Sequence, residues 1–127
     1  MRALLDTHIF LWAITQDKQL SKRYRAFYLD DANELLFSVA SIWEILIKCG
    51  TGKLPMPKPT VPYLTKHLER NRVRVLGIQI HHLAELERLP PLHKDPFDRI
   101  IAAQGRADKL KVLSADPKLA GYGVDLL

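Results

Sequence analysis

The chain alternates short apolar runs with longer stretches of helical periodicity. Arg2–Leu5 (RALL) reads as a strand ending at Asp6, Leu35–Phe37 (LLF) as a second, and Val112 and Leu113 mark another, with Val124–Leu127 (VDLL) closing the sequence. Apolar runs without alternation predict strands buried on both faces, as in a parallel sheet covered by helices. Val73–Leu76 differs: Arg72 and Arg74 alternate with Val73 and Val75, the pattern of a half-exposed edge strand.

Helical patterns fill the intervals. Residues 8–14 predict a short helix, 21–32 a longer one capped by Ser21, and 41–49 an apolar one terminated by Gly50 and Gly52. Pro55, Pro57, Pro59 and Pro62 then make an extended connector within one domain. Residues 62–71 set Leu64 and Leu68 four apart, and 79–88 repeat the scheme with Ile80, Leu83 and Ala84 turned inward before Pro90 and Pro91. The last helix is 96–108, with Pro96 at its first position. Strands alternating with helices predict an α/β fold with a mainly parallel central sheet, whose ligands bind beyond the carboxyl ends of the strands.

At 127 residues the chain is expected to be a single domain spanning 1–127. Its 47% hydrophobic and 26% charged residues are ordinary for a globular protein. The lone cysteine, Cys49, cannot form an internal disulfide, which favours a cytoplasmic location. No apolar run approaches the roughly 20 residues of a membrane span. The N-terminal stretch MRALLDTHIFLW is broken by Asp6 and His8, and no small-residue cleavage site follows, so export is not expected. The net charge of +5 is weak evidence alone, but basic surroundings would help an acidic site hold a polyanion.

Such a site is suggested by acids at the ends of the expected strands. Asp6 follows the first strand and Asp116 follows Val112–Leu113 after two residues, while Glu44 and Asp98 fall in the first turns of helices flanking strands. Taken singly, each has a plainer reading. Asp6 and Asp116-Pro117 could be helix caps, and Ser41-x-x-Glu44 reads as a capping box. In Asp95-Pro96-Phe97-Asp98, Asp95 is the expected cap and Asp98 the surplus carboxylate. As a set they are harder to explain, because caps need local backbone partners rather than one another. Carboxylates gathered in one cleft repel, and a hard divalent cation removes that cost. Acid clusters with such ions suit phosphodiester hydrolysis by activated water, with no serine, cysteine or histidine nucleophile.

Four segments carry a resemblance: LLDTHIFLW (4–12), SIWEILIK (41–48), HKDPFDRIIAAQ (93–104) and LSADPKLAGYGVDLL (113–127). In that order and spacing the chain resembles PIN-domain ribonucleases, most closely the VapC-type toxins of toxin–antitoxin modules. The resemblance implies a single PIN-like α/β/α domain, Mg²⁺ or Mn²⁺ as cofactor, and RNA as substrate. It implies that Asp6, Glu44, Asp98 and Asp116 are the catalytic, metal-holding acids, with the hydroxyls of Thr7 and Ser114 in support. It further implies a homodimer and a cognate antitoxin covering the site. His8 stands where many relatives carry asparagine, and it could contact substrate. Lys48 and Arg99 neighbour the site and could bind phosphate, although each taken singly reads as a solvated charge.

Trp12, Trp43, Phe37 and Phe97 are expected in the core. His81 and His82, adjacent on a helix, are poorly placed to chelate one ion and read as solvent-facing. His93 could cap a helix or line the site entrance, and the plainer reading is favoured. Arg23–Tyr24–Arg25 reads as helix surface. The main rival is a non-catalytic PIN-fold scaffold for RNA or protein binding, disfavoured because all four acids are present. A phosphatase or receiver-like phosphoacceptor is the second rival, and the Asp-x-Asp start of one such phosphatase class is absent. Neither G-x-G-x-x-G nor a Walker A motif occurs, which disfavours a nucleotide-binding oxidoreductase.

Overall fold

The structure, a computed structural model, describes residues 1–92 and 94–127. Five strands form one parallel sheet: β1 (Arg2–Leu5), β2 (Glu34–Ser38), β3 (Val73–Leu76), β4 (Lys111–Leu113) and β5 (Asp125–Leu126), in the order β3-β2-β1-β4-β5. The connections hold α1 (Thr7–Thr15), α2 (Lys22–Leu29), α3 (Val39–Gly50), α4 (Thr60–Arg70), α5 (Ile80–Arg88) and α6 (Pro96–Ala107), with a 3₁₀ helix at Pro117–Tyr122.

The central strands are apolar throughout because both faces are covered. Ala3, Leu5, Leu35 and Phe37 join Phe10 of α1 and Leu64 of α4 in one core. Leu4 and Leu36 face the other way, onto Ile101 of α6 and Leu110. The result is the expected α/β/α arrangement. The expected edge strand is confirmed: β3 is outermost, and its Arg74 Nη1 lies 2.8 Å from Glu34 Oε1. Register brings Leu5 level with both Phe37 and Leu113, so the chain leaves β1, β2 and β4 at the same edge of the sheet.

On the second face, α6 lies against β4. A Cβ built on Gly105 would come within 2.7 Å of Val112 Cγ2, so the close approach requires glycine there.

Several sequence expectations are corrected. The second helix ends at Leu29, because Asp30 turns back to accept from the Ala32 amide (2.9 Å) and Asn33 Nδ2 donates to Phe27 O (3.0 Å). The third begins at Val39 rather than residue 41, with the Ser38 hydroxyl accepting from the Ala40 amide at 3.1 Å. The Ser41–Glu44 capping box therefore does not form, and Glu44 belongs to the second turn. On α5 the inward face is rotated from the expected one: Ile80 is 82% exposed while His82 is fully buried. Trp43, expected in the core, is 60% exposed and meets Phe97 edge-on with ring centroids 5.2 Å apart. Phe37 is buried as expected, and Trp12 and Phe97 are half-buried. The expectation for His93 lies outside the described residues.

Candidate active site

Asp6 leaves β1 and caps α1. One carboxylate oxygen accepts from the Thr7 amide (2.8 Å) and the other from the Ser114 hydroxyl (2.6 Å). Its own amide donates to Leu113 O, which stitches the ends of β1 and β4 together. Ser114 Oγ also accepts from the Asp116 amide at 3.0 Å, so one hydroxyl ties a second acid to the first.

Glu44 is held from the other side. Thr7 Oγ1 lies 2.7 Å from Glu44 Oε1 and 2.8 Å from Ser41 Oγ, with all three residues buried. A hydroxyl has one proton, and the ionised carboxylate is the stronger acceptor, so the Ser41 proton is left to point at Thr7. The second Glu44 oxygen pairs with Lys48 Nζ at 2.8 Å, one helical turn on. Asp98 lies in the first turn of α6, and Asp116 caps the 3₁₀ helix by accepting from the Lys118 amide at 2.9 Å.

These elements meet at the carboxyl edge of the sheet around a cleft of about 280 Å³. Asp6, Glu44, Asp98 and Asp116 all line it, as do Asp95, His8, Trp12 and Lys48. Burial pushes the Asp6 carboxyl above its ordinary value, against the lowering effect of its bonds from Ser114 and Thr7, and the nearby Glu44 adds to the rise. The bond to Glu44 pushes the Lys48 ammonium up against the opposing effect of its partial burial, helped by Asp95 and Asp98. The cleft gathers five carboxylates, with Lys48 beside them. Its acids offer hard carboxylate oxygens with the His8 imidazole beside them, and no thiolate lines it among the described residues; such a set fits a hard divalent cation such as Mg²⁺ or Mn²⁺.

Among the described residues, three metal-ligand atoms converge within 4.8 Å elsewhere, at His81, His82 and Asp108. The Gln79 amide donates to His82 Nδ1 at 3.0 Å, which places the ring proton on Nε2, 2.9 Å from Asp108 Oδ2. His82 thus has no lone pair to offer an ion, and the cluster is a clamp joining α5 to the end of α6. The expectation that both histidines face solvent is corrected for His82. Asp108 sits below the usual carboxylate range, because the hydrogen bonds from His82 and His81 outweigh its burial.

The structure also moves some of the expected site residues. Arg99 is not among the residues lining the cleft; its Nη1 donates to Pro90 O (3.1 Å) and its guanidinium lies 6.0 Å from the Tyr122 ring centroid. His8 does line it, with its ring 5.8 Å from that of Trp12. Asp95 caps α6 as expected, accepting from the Phe97 and Asp98 amides, yet its inclusion in the cleft was not foreseen. Ser41 and Tyr24 were missed as supports. Tyr24, read as surface, accepts from the Ser114 amide at 3.4 Å, and its hydroxyl lies 3.1 Å from Ser114 O and 3.2 Å from Leu127 O. Its half-apolar position beside Phe27 and Tyr28 was the available signal.

Comparison with known proteins adds to this geometry. The family model described as PIN domain matches residues 3–124. Ribonuclease VapC16 of Mycobacterium tuberculosis is 38% identical over 60 residues, covering 47% of this chain and 43% of that protein. The match thus spans less than half the length of that relative. The crystal structure of VapBC2 from Rickettsia felis, bound to a DNA fragment from their promoter, superposes with a TM-score of 0.72 at 16% identity, covering 100% of this chain and 96% of that chain. FitAcB from Neisseria gonorrhoeae gives 0.66 at 18% identity, covering 98% and 96%. At those identities the structural likeness is one of fold.

Proposed function

The chain belongs to the PIN-domain family, and we propose that it is a divalent-metal-dependent endoribonuclease serving as the toxin of a toxin–antitoxin pair. The observation that carries this reading is the cleft itself: Asp6, Glu44, Asp98 and Asp116, which come from four separate segments, line one cavity at the carboxyl edge of the sheet. The partial match to a ribonuclease supports the same class of activity.

In this reading those four acids hold Mg²⁺ or Mn²⁺, which when bound activates water and offsets charge on the phosphoryl oxygens. The chain's own groups do the rest. Ser114 fixes the Asp6 carboxylate against the Asp116 backbone, and Thr7 with Ser41 fixes Glu44. Lys48 shares the Glu44 charge and faces the cleft, where it can meet a phosphate oxygen. Preorganised acids of this kind need no rearrangement as charge develops, which is where most electrostatic catalysis comes from.

A protein partner belongs to the same proposal. Trp43, Phe97, Ile78 and Leu83 line an apolar groove of about 220 Å³. Trp43 and Phe97 flank Glu44 and Asp98 in sequence, which supports an antitoxin that combines apolar contacts there with a basic group at the acids. A homodimer is part of the proposal too, supported by further exposed apolar side chains such as Val61 and Ile80. No helix among the described residues is long and apolar enough to cross a membrane.

The test is cleavage of a mixed RNA pool by the purified protein with Mg²⁺ or Mn²⁺, alongside EDTA and Asp6→Asn controls. Metal-dependent cuts that vanish in both controls are the expected result. RNA binding without cleavage, in protein freed of any partner, would instead favour the non-catalytic scaffold.

A further inference from the structure

A second cleft, of about 230 Å³, adjoins the acidic one, and the two share His8 and Lys48 as common lining. The chemistry differs on the two sides. The first cleft is rich in carboxylates; the second is lined by Thr7, His8, Leu11, Lys48, Lys53 and Leu54, with no acid among them.

Lys53 reaches this position through a defined turn. Beyond α3 the Lys53 and Leu54 amides both donate to Lys48 O, at 3.0 and 3.3 Å. Gly52 makes the reversal with φ +74°, a left-handed conformation that favours glycine. The chain folds back on the end of the helix, so the side chains of Lys48 and Lys53 serve one cavity. Lys48 stands in the last turn of α3 and Lys53 just beyond it, at the end of the helix whose dipole favours positive charge. Lys48 is already engaged by Glu44, whereas Lys53 makes no ion pair among the described residues. Leu11 is buried and Leu54 half-buried, so the cavity also offers apolar surface.

A ligand that fits both clefts must place one anion at the acids, where a cation can receive it, and a second anion next door among amines and beside apolar surface. A nucleic-acid strand carries successive anions with sugar and base between them. We propose that the second cleft is the subsite for the nucleotide beside the scissile phosphate of single-stranded RNA, with Lys53 and His8 holding its phosphate and Leu11 and Leu54 lying against its sugar and base. This assignment rests on the nuclease reading and deepens it.

The experiment measures binding and cleavage separately. Fluorescence anisotropy of a labelled short single-stranded RNA is followed in the Asp6→Asn protein with Mg²⁺, with and without Lys53→Gln or Lys53→Glu. One lost phosphate contact on a single strand should flatten the plot of log affinity against log salt by about 0.7 and weaken binding by about three- to tenfold, with the glutamate the worse. Melting temperatures should be unchanged, because Lys53 is exposed on a turn. Equal affinity and salt slope in the variants would overturn the subsite, as would polyglutamate competing as well as unlabelled RNA, since any anion would then do. Cleavage by the wild-type chain reports on the nuclease reading by itself. Cutting with Lys53-independent binding removes the subsite alone; Lys53-dependent binding without cutting removes the nuclease reading and leaves an RNA site. Neither binding nor cutting removes both.

Discussion

The Tyr24 hydroxyl reaches across ninety residues of sequence to grip the Ser114 backbone, accepting from its amide at 3.4 Å and lying 3.1 Å from its carbonyl. Ser114 in turn donates to Asp6 at 2.6 Å. A ring on α2 is thereby linked, through Ser114, to the carboxylate that follows β1. Tyr24→Phe keeps the packing and removes the grip. The expected outcome is a stability loss of only about 1 kcal/mol, with metal-dependent cleavage down about tenfold through misplacement of Asp6. Thermal melting and single-turnover cleavage measure the two. Wild-type cleavage with lowered stability would reduce Tyr24 to a packing residue.

Asp6 illustrates a conflict between site and fold. Its carboxyl is raised, so the folded chain holds that proton more tightly than the unfolded chain does. The sign follows from linkage: ionising Asp6 costs stability as pH rises past its ordinary value of 3.8. Asp6→Asn should therefore raise the melting temperature of metal-free protein at neutral pH while abolishing cleavage. The gain should fade in acid below that value. Calorimetry in EDTA across pH measures this, and a variant that melts lower at neutral pH would contradict the burial argument.

Two acids three residues apart should behave differently. Asp95 accepts from the Phe97 and Asp98 amides, and asparagine caps nearly as well as aspartate. Asp95→Asn is expected to leave stability within about 0.5 kcal/mol and to retain most cleavage, whereas Asp98→Asn loses it. Complete loss in Asp95→Asn would move the third catalytic acid from Asp98 to Asp95.

The clamp at Asp108 should matter for stability and not for chemistry. Removing this carboxylate strands the fully buried His82 ring proton. Asp108→Ala is expected to cost about 2–3 kcal/mol. Asp108 is depressed, so its contribution is present above the ordinary value of 3.8 and is lost as pH falls through the lower folded value. Urea melts at neutral and acid pH should find wild type and variant converging in acid; a constant gap would point to packing alone.

At Gly105 two effects oppose. Alanine favours a helix by about 1 kcal/mol over glycine, but its Cβ would meet Val112 Cγ2 at 2.7 Å. Val112 is fully buried and its β-branched side chain is stiff. Overpacking costs roughly 1–3 kcal/mol, so Gly105→Ala should be net destabilising. An increased melting temperature would show that β4 yields.

Much of this protein was legible in local pattern. Uninterrupted apolar runs announced strands covered on both faces, and acids standing just past those runs, or beside helix starts, marked where a parallel sheet would gather charge. Asp6, Glu44, Asp98 and Asp116 could be selected as a set from their places beside strand ends and helix starts, together with the resemblance to PIN-domain ribonucleases. The start of α3 was not legible: Val39-Ala40 extends an apolar strand as readily as it begins a helix, and only the Ser38 cap decides. Nor were Trp43 in the open, His82 in the interior, Asp95 at the cleft, Arg99 outside it, or Tyr24 behind Ser114. None follows from the periodicity of its own segment; His82 is buried because Asp108, from the end of α6, and Gln79 satisfy both of its ring nitrogens. Periodicity records which face of an element is apolar on average. Which polar atom may be buried is decided by whether the folded chain brings it a hydrogen-bond partner, and that is settled only in three dimensions.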